Sequence, residues 1–248
     1  MIHYQLIRSQ RRRTLGLQVK CGKVIVRAPY TVSEVLIDEF VQQKSAWLET
    51  KLLAQQSQFE FCKFKQGSSL LYLGDETKLN INLAKQASVF LSKHSLPPSS
   101  EEALSTVIDV ININVNQRIY NKLANSEDKS RYVQKQLAHF FKYQAEQILK
   151  QRLSAISGET TLIPNKVNIR LYRSRWGSCN NRGEVSFNYL LMMTPLFVID
   201  YVIVHELCHL VHLNHSQNFW QLVATHQPQY KRAMQWLKNN QSKLYWQS

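Results

Sequence analysis

"TPLFVIDYVIVHELCHLVHLNH", residues 194–215, is the stretch on which the fold and chemistry turn. It opens on Thr-Pro. Thr194 is a candidate N-cap, and Pro195 at the first helical position loses no hydrogen bond there and already has a helical φ. The residues that follow are apolar nearly all the way round, which reads as a buried helix. Their β-branched richness also suits a strand, but the Thr-Pro start and the length favour the helix. Such a helix should not carry a charge without cause, and Glu206 would be costly in it unless paired or associated with a metal.

Half of the chain's eight histidines fall between His205 and His215. His205 and His209 are four apart, so they stack on one helical face and can converge on one ion. Glu206 is turned about 100° from His205 and can reach a water on that ion rather than the ion itself. This is the mechanical content of HExxH. The motif is short and arises by chance; here the buried context and the further histidines turn the reading towards a metal site.

A catalytic zinc takes three protein ligands and keeps one position for water. No Asp or Glu follows Glu206, so a downstream glutamate ligand is excluded. His212, His215 and His226 remain as downstream candidates. His212 is on the face of His205 but roughly 10 Å along the axis. His215 is out of reach in a continuous helix and comes into reach if the helix ends before it. Asn214 offers a means of ending it, because Asn tolerates the left-handed conformation that closes helices. His226 requires a longer return from within another helical segment, "SQNFWQLVATHQ" (216–227). HExxHxxxxxH has the metzincin spacing, with His212 where that motif carries Gly and without a Met-turn signature.

Upstream, "KVNIRLY" (166–172) and "EVSFNYLL" (184–191) read as strands, with "NNRG" (180–183) as a turn between them. An extended peptide would add to the edge of the strand after Gly183, beside the cleft. Trp176 is expected in core packing, and Cys179 as a buried thiol rather than a nucleophile. Residues 130–157 have the composition of a long helix. "IDVININVN" (108–116) alternates strictly, as a half-buried strand does. Residues 94–106, "HSLPPSSEEALST", have the adjacent prolines and serines of a linker. The first third reads as strands with one helix. "LGLQVK" and "KVIVRAP" form a hairpin across Cys21-Gly22-Lys23. Residues 31–56 form the helix, capped by Thr31, with Val35, Ile37, Phe40, Val41, Trp47 and Leu52 as its apolar face. "LLYLG" and "KLNINLA" are further short strands. No internal repeat is present.

The chain's 248 residues are enough for a real core, and 44% hydrophobic with 19% charged is ordinary globular composition. With 31 Lys plus Arg against 17 Asp plus Glu, the net charge is +14. That charge suits an anionic partner such as nucleic acid or a nucleotide, and equally a merely basic soluble surface. The tract "SQRRRT" (9–14) fits either a phosphate contact or a solvated strand end. Four scattered cysteines without a CxxC pair make neither a zinc knuckle nor a disulfide framework. The start lacks a signal-peptide core, and the longest apolar stretch is broken by Thr194, Pro195 and Asp200, so a cytoplasmic protein is expected.

"RSRWGSC" (173–179), "VIDYVIVHELCHLVHLNHSQNFW" (198–220) and "QYKRAMQWL" (229–237) resemble the YgjP-type zinc metallopeptidase family, related to SprT-like and WLM proteases. "KYQAEQILKQRL", "RSQRRRTLGLQV", "VRAP" and "LYLG" fit its layout too, so the resemblance covers nearly the whole chain and is thinnest at 95–127. It implies zinc ligation by His205, His209 and His215 and catalysis by Glu206. Cys208 stands where family members more often have a small residue, and its thiol beside the metal is a point of redox sensitivity.

The expected architecture is α+β. Residues 1–94 make a β-rich N-terminal region with one helix, 95–127 a linker and variable strand region, and 128–248 a zincin-like helical core with a small antiparallel or mixed sheet and an HExxH helix. The expected function is zinc-dependent hydrolysis of peptide bonds in a protein or peptide substrate. Arg173, Arg175, Tyr189, Tyr201, His212 and Tyr230 are candidate oxyanion donors. A metal-dependent hydrolase of a small phosphorylated substrate such as a nucleotide, and a nucleic-acid-binding protein with a structural zinc, are the alternative classes.

Overall fold

Val24, Val26 and Ala28 alternate along one strand and are all buried, which gives the N-terminal part of the chain its own core. The computed structural model describes residues 2–20, 23–61, 64–95, 107–244 and 246. By its contacts the chain divides into two units, Met1–Cys62 with Trp246–Ser248, and Lys63–Tyr245.

In the first unit, strands β1 (Tyr4–Arg8), β2 (Gly16–Lys20) and β3 (Lys23–Ala28) form a sheet in the order β1-β3-β2. β2 and β3 pair antiparallel, as the hairpin reading required, while β1 joins β3 in parallel. Residues 21–22 of the expected turn lie outside the described residues. The expected single helix is two, α1 (Glu34–Gln43) and α2 (Ser45–Phe61), with Lys44 as the C-cap of α1. Ser33 rather than Thr31 caps α1, its hydroxyl accepting from the Leu36 amide at 3.4 Å. The break rotates the apolar faces. Ile37, Val41 and Leu48 are buried against β3, whereas Val35 and Trp47 of the expected face are 67% and 44% exposed.

The second unit is built on a four-stranded sheet of order β4-β5-β7-β6, from β4 (Ser69–Tyr72), β5 (Asp75–Ala84), β6 (Ser88–Ser95) and β7 (Val107–Asn116). The alternation in β7 buries Ile111, Ile113 and Val115 on one face. On the other face the Asn80 amide donates to Asn112 Oδ1 at 2.8 Å, and the Asn112 amide donates to Ser92 Oγ at 2.7 Å. The buried Asn112 carboxamide therefore has a partner on both sides. The linker reading at 94–106 falls largely outside the described residues, because 96–106 are not described. β7 is followed by α3 (Gln117–Lys122) and α4 (Ser126–Thr160), the long helix, which Asn125 caps by accepting from the Asp128 amide at 2.8 Å. Val133, Leu137, Phe140, Phe141, Ala145 and Leu149 form its buried stripe. Phe140 and Phe141 both meet the ring of Tyr72.

A three-stranded sheet follows, from β8 (Lys166–Arg170), β9 (Gly177–Cys179) and β10 (Glu184–Asn188), in the order β8-β10-β9. Here the topology departs from expectation. "NNRG" joins β10 to the short β9, with Gly183 at φ +70°, and β8 pairs with β10 in parallel. β10 is thus the middle strand, and both its edges are taken. β10 leads through a 3-10 turn (Tyr189–Met193) to α5 (Leu196–Cys208), then α6 (Gln217–His226) and α7 (Tyr230–Asn240). Thr194 does not cap α5: its hydroxyl donates to the Leu191 carbonyl at 2.8 Å, and Pro195 is the N-cap residue. Arg152 of α4 holds Asp200 of α5 with two bonds, Nε to Oδ1 at 2.7 Å and Nη2 to Oδ2 at 2.5 Å. Among the described residues, no helix is long and apolar enough to cross a membrane.

Candidate metal centre

Helix α5 is largely buried beyond its first turn, with Val198, Ile199, Val202, Ile203, Leu207 and Cys208 all buried. Its last turn carries His205 and Glu206, and His209 is the C-cap residue. Beyond His209 the backbone tightens. The Leu210 amide donates to the Leu207 carbonyl at 2.9 Å, and the Val211 and His212 amides donate to the Cys208 carbonyl at 3.1 and 3.0 Å. Such shortened bonds satisfy the orphan carbonyls of a helix end without a left-handed residue.

Asn214 therefore acts differently from expectation. Among the described non-glycine residues only Leu73 and Thr161 have positive φ. Asn214 instead accepts the Ser216 amide on its side-chain oxygen at 3.2 Å, an Asx turn. Ser216 in turn caps α6 by accepting the Phe219 amide at 3.4 Å. His215 sits between these two local bonds, immediately before the cap, and is returned over the end of α5.

The structure brings His205, His209 and His215 together. One ring nitrogen from each lies within 4.8 Å of the others, and the Nε2 atoms of His205 and His215 are 3.1 Å apart. His209 Nδ1 lies 2.9 Å from the His212 carbonyl oxygen, which can only accept, so that ring nitrogen carries the proton. His212 contributes through its backbone and is not in the cluster. His226 lies in the last turn of α6, also outside it.

Aromatic rings wall the three imidazoles. Phe219, fully buried, stacks on His209 at 4.5 Å between centroids and meets His205 and His215 edge-on. Trp220 lies 5.7 Å from His215 and 5.9 Å from His205, and stacks on Tyr230 at 5.5 Å. Tyr201, one turn before His205, meets its ring at 5.8 Å. Phe219 and Trp220 thus do more than pack α6, a role that their helical spacing alone could not distinguish. Of the candidate oxyanion donors, Tyr201 and Tyr230 border this cluster and Arg175 acts electrostatically on Glu206. Arg173 is exposed.

Burial sets the protonation. It pushes His205 down to about 3, helped by His209 and His215, and it lowers His209 as well. Both are thus kept neutral, the form that ligates a metal. Glu206 is 5% exposed, and burial pushes its carboxyl up to about 8 against the opposing pull of Arg175. Tyr201 is pushed up to about 12, by burial and then by Glu206 and Tyr230, and so retains its hydroxyl proton.

Glu206 lies against β9. A Cβ added at Gly177 would fall 2.5 Å from Glu206 Oε1 and 2.6 Å from its Cγ. Sequence reasoning missed this neighbour; the only signal was the glycine directly after Trp176, which was expected in core packing. Cys179 is half-buried, and burial and then Glu206 raise its thiol, which fits no nucleophile. Cys208 is fully buried and pushed up to about 12 by that burial. The expected redox sensitivity finds no support there, since reactive cysteines are exposed and of low pKa.

A family model for the YgjP-like metallopeptidase domain matches residues 13–240. The crystal structure of the metallopeptidase zymogen abylysin from Pyrococcus abyssi is similar to 39% of this chain and 99% of its own, at 18% identity and a TM-score of 0.35. No curated protein matches the chain.

Proposed function

The chain belongs to the YgjP-like metallopeptidase family, and from that premise we propose that it is a zinc-dependent peptidase in which His205, His209 and His215 hold the metal and Glu206 is the general base. The observation that carries this reading is the convergence of three imidazole nitrogens at the end of α5, whose last turn also carries the buried carboxyl of Glu206.

The donor set fits zinc. Nitrogens sharing a tetrahedral zinc at about 2.0–2.1 Å stand roughly 3.3 Å apart, close to the 3.1 Å between His205 and His215 Nε2. The His209–His212 bond fixes the tautomer that frees His209 Nε2, the outer-shell arrangement of a ligating histidine. Among the described residues no fourth protein ligand joins the three, as in a catalytic rather than a structural site. Zinc, when bound, supplies Lewis acidity that lowers the pKa of water to about 7 and polarises a carbonyl.

The chain's own groups do the rest. Glu206, in its ionised form and with its proton affinity raised by burial, takes the proton of the attacking water and returns it to the leaving amine. Phe219 and Trp220 pack against the imidazoles and orient them, with His209 buried and His215 left open to solvent. β9 is the edge strand of its sheet on the side of Glu206, so an extended peptide adds along β9 rather than along the doubly paired β10.

Metal analysis tests the ligand set directly. The purified protein should carry about one zinc per chain. A chelator should abolish cleavage of an unfolded protein substrate, and zinc should restore it. Cleavage that survives complete metal removal would contradict the reading.

A further inference from the structure

We propose that Gly177 is a positioning residue for Glu206: the missing side chain at this one point of β9 is the space in which the general base sits. The inference rests on the assignment of Glu206 as base. Backbone freedom is not the reason for glycine here, since among the described residues the glycines with positive φ are Gly67, Gly74 and Gly183. The reason is clearance. A Cβ at Gly177 would meet three atoms of Glu206, Oε1 at 2.5 Å, Cγ at 2.6 Å and Cδ at 2.7 Å. All three distances are shorter than carbon and oxygen atoms tolerate without displacement.

Neither backbone can give way cheaply. Gly177 is in register with the fully buried Phe187 of β10. Just before it, the Trp176 carbonyl accepts the Asn188 amide at 2.8 Å, and the Asn188 side chain donates to the carbonyls of Tyr172 and Arg175 at 3.1 Å each. On the other side, α5 is enclosed by its own buried residues and tied to α4 through Arg152 and Asp200. A methyl group at residue 177 therefore displaces the Glu206 side chain from its place against β9. Since Cγ and not only the carboxylate is in the way, a small rotation of the carboxylate cannot relieve the contact.

The test uses Gly177→Ala, Glu206→Ala and the double variant, read by steady-state kinetics, zinc content and thermal melting. Displacement of a reacting group by about 1 Å costs on the order of 100-fold in rate. Gly177→Ala is therefore expected to lower kcat about 100-fold, with KM and zinc content unchanged. The melting arm needs no activity. Whatever Tm the alanine at 177 costs should shrink or vanish in the Glu206→Ala background, where the clashing atoms are gone. A soluble Gly177→Ala/Glu206→Ala protein beside an insoluble Gly177→Ala one supports the proposal in the same way. Wild-type kcat in Gly177→Ala would overturn it, as would an equal loss of Tm with and without the Glu206 side chain. If the wild-type protein cleaves no peptide, the parent assignment of Glu206 fails, while the melting comparison still decides the role of Gly177.

Discussion

The Nδ1–H of His209 donates to the backbone carbonyl of His212 across 2.9 Å, four residues beyond the last residue of helix α5. The bond couples the way the chain leaves the helix to the chemistry of the last histidine in HExxH. It makes His209 Nε2 the free lone pair and casts His212 in a backbone role that any residue type could fill.

From this follows a contrast between two neighbouring histidines. His212→Ala keeps the carbonyl and should leave zinc affinity close to wild type. His215→Ala removes a nitrogen that lies 3.1 Å from its neighbour in the cluster. It should lose more than the roughly 10–100-fold typical of an outer-shell partner. Competition titration with a chromogenic chelator measures both. The reverse order would reject His215 as a ligand.

The metal-free protein should be most stable between about pH 4.5 and 6.5. His205 is lowered from 6.5 to about 3 in the folded chain. As pH falls below 6.5 the unfolded imidazole gains a proton that the folded one refuses, so stability is lost towards pH 3, and His209 adds to this loss. Glu206 is raised from 4.5 to about 8. Its unfolded form ionises first, so stability is lost as pH rises from 4.5 to 8. Between 4.5 and 6.5 the two slopes oppose each other, each up to about 1.4 kcal/mol per pH unit. Arg175, which opposes the burial of Glu206, lowers the upper limit. Urea unfolding at pH 5.5, 7 and 8.5 reads the profile. Glu206→Gln should abolish the decline between pH 6.5 and 8, and persistence of that decline would assign it elsewhere.

Cys208 should resist alkylation in the native protein and react only after denaturation, because it is fully buried and its thiol is pushed up to about 12. Peptide mapping after brief iodoacetamide treatment checks this, and modification of Cys208 at the native rate of an exposed thiol would contradict the packing of α5.

Much of this was legible in the residues, and the rest was not for identifiable reasons. The i,i+4 spacing of His205 and His209 translates directly into one helical face. The strict alternation of 108–116 translates directly into β7. The hairpin of β2 and β3 followed from two short β-rich runs. The helix break at Lys44 and the three-residue β9 carry no periodic signal of their own; they arise from tertiary packing and sheet pairing. Asn214 was correctly placed at the turn, but its side chain bonds the Ser216 amide rather than its backbone going left-handed. The clearance between Gly177 and Glu206 joins residues 29 positions apart, so only the fold reveals it.

The pair Arg152–Asp200 tests how far the position of α5 depends on α4. Arg152 is partly exposed, so the ion pair itself should contribute only about 1 kcal/mol. Asp200→Asn should reduce stability by about that amount while leaving zinc content unchanged, as read by denaturant unfolding and metal analysis. Loss of zinc in this variant would show that the bridge holds the site as well as the fold.

The most direct measurement of the central claim compares wild type with Glu206→Gln, both loaded with zinc, on an unfolded protein substrate, with nucleotides assayed in parallel. Wild type is expected to cleave peptide bonds, and Glu206→Gln to keep about one zinc per chain without cleaving. Peptide hydrolysis at the wild-type rate by Glu206→Gln would contradict that claim, and so would a zinc-loaded wild type that hydrolyses nucleotides and leaves the protein substrate intact.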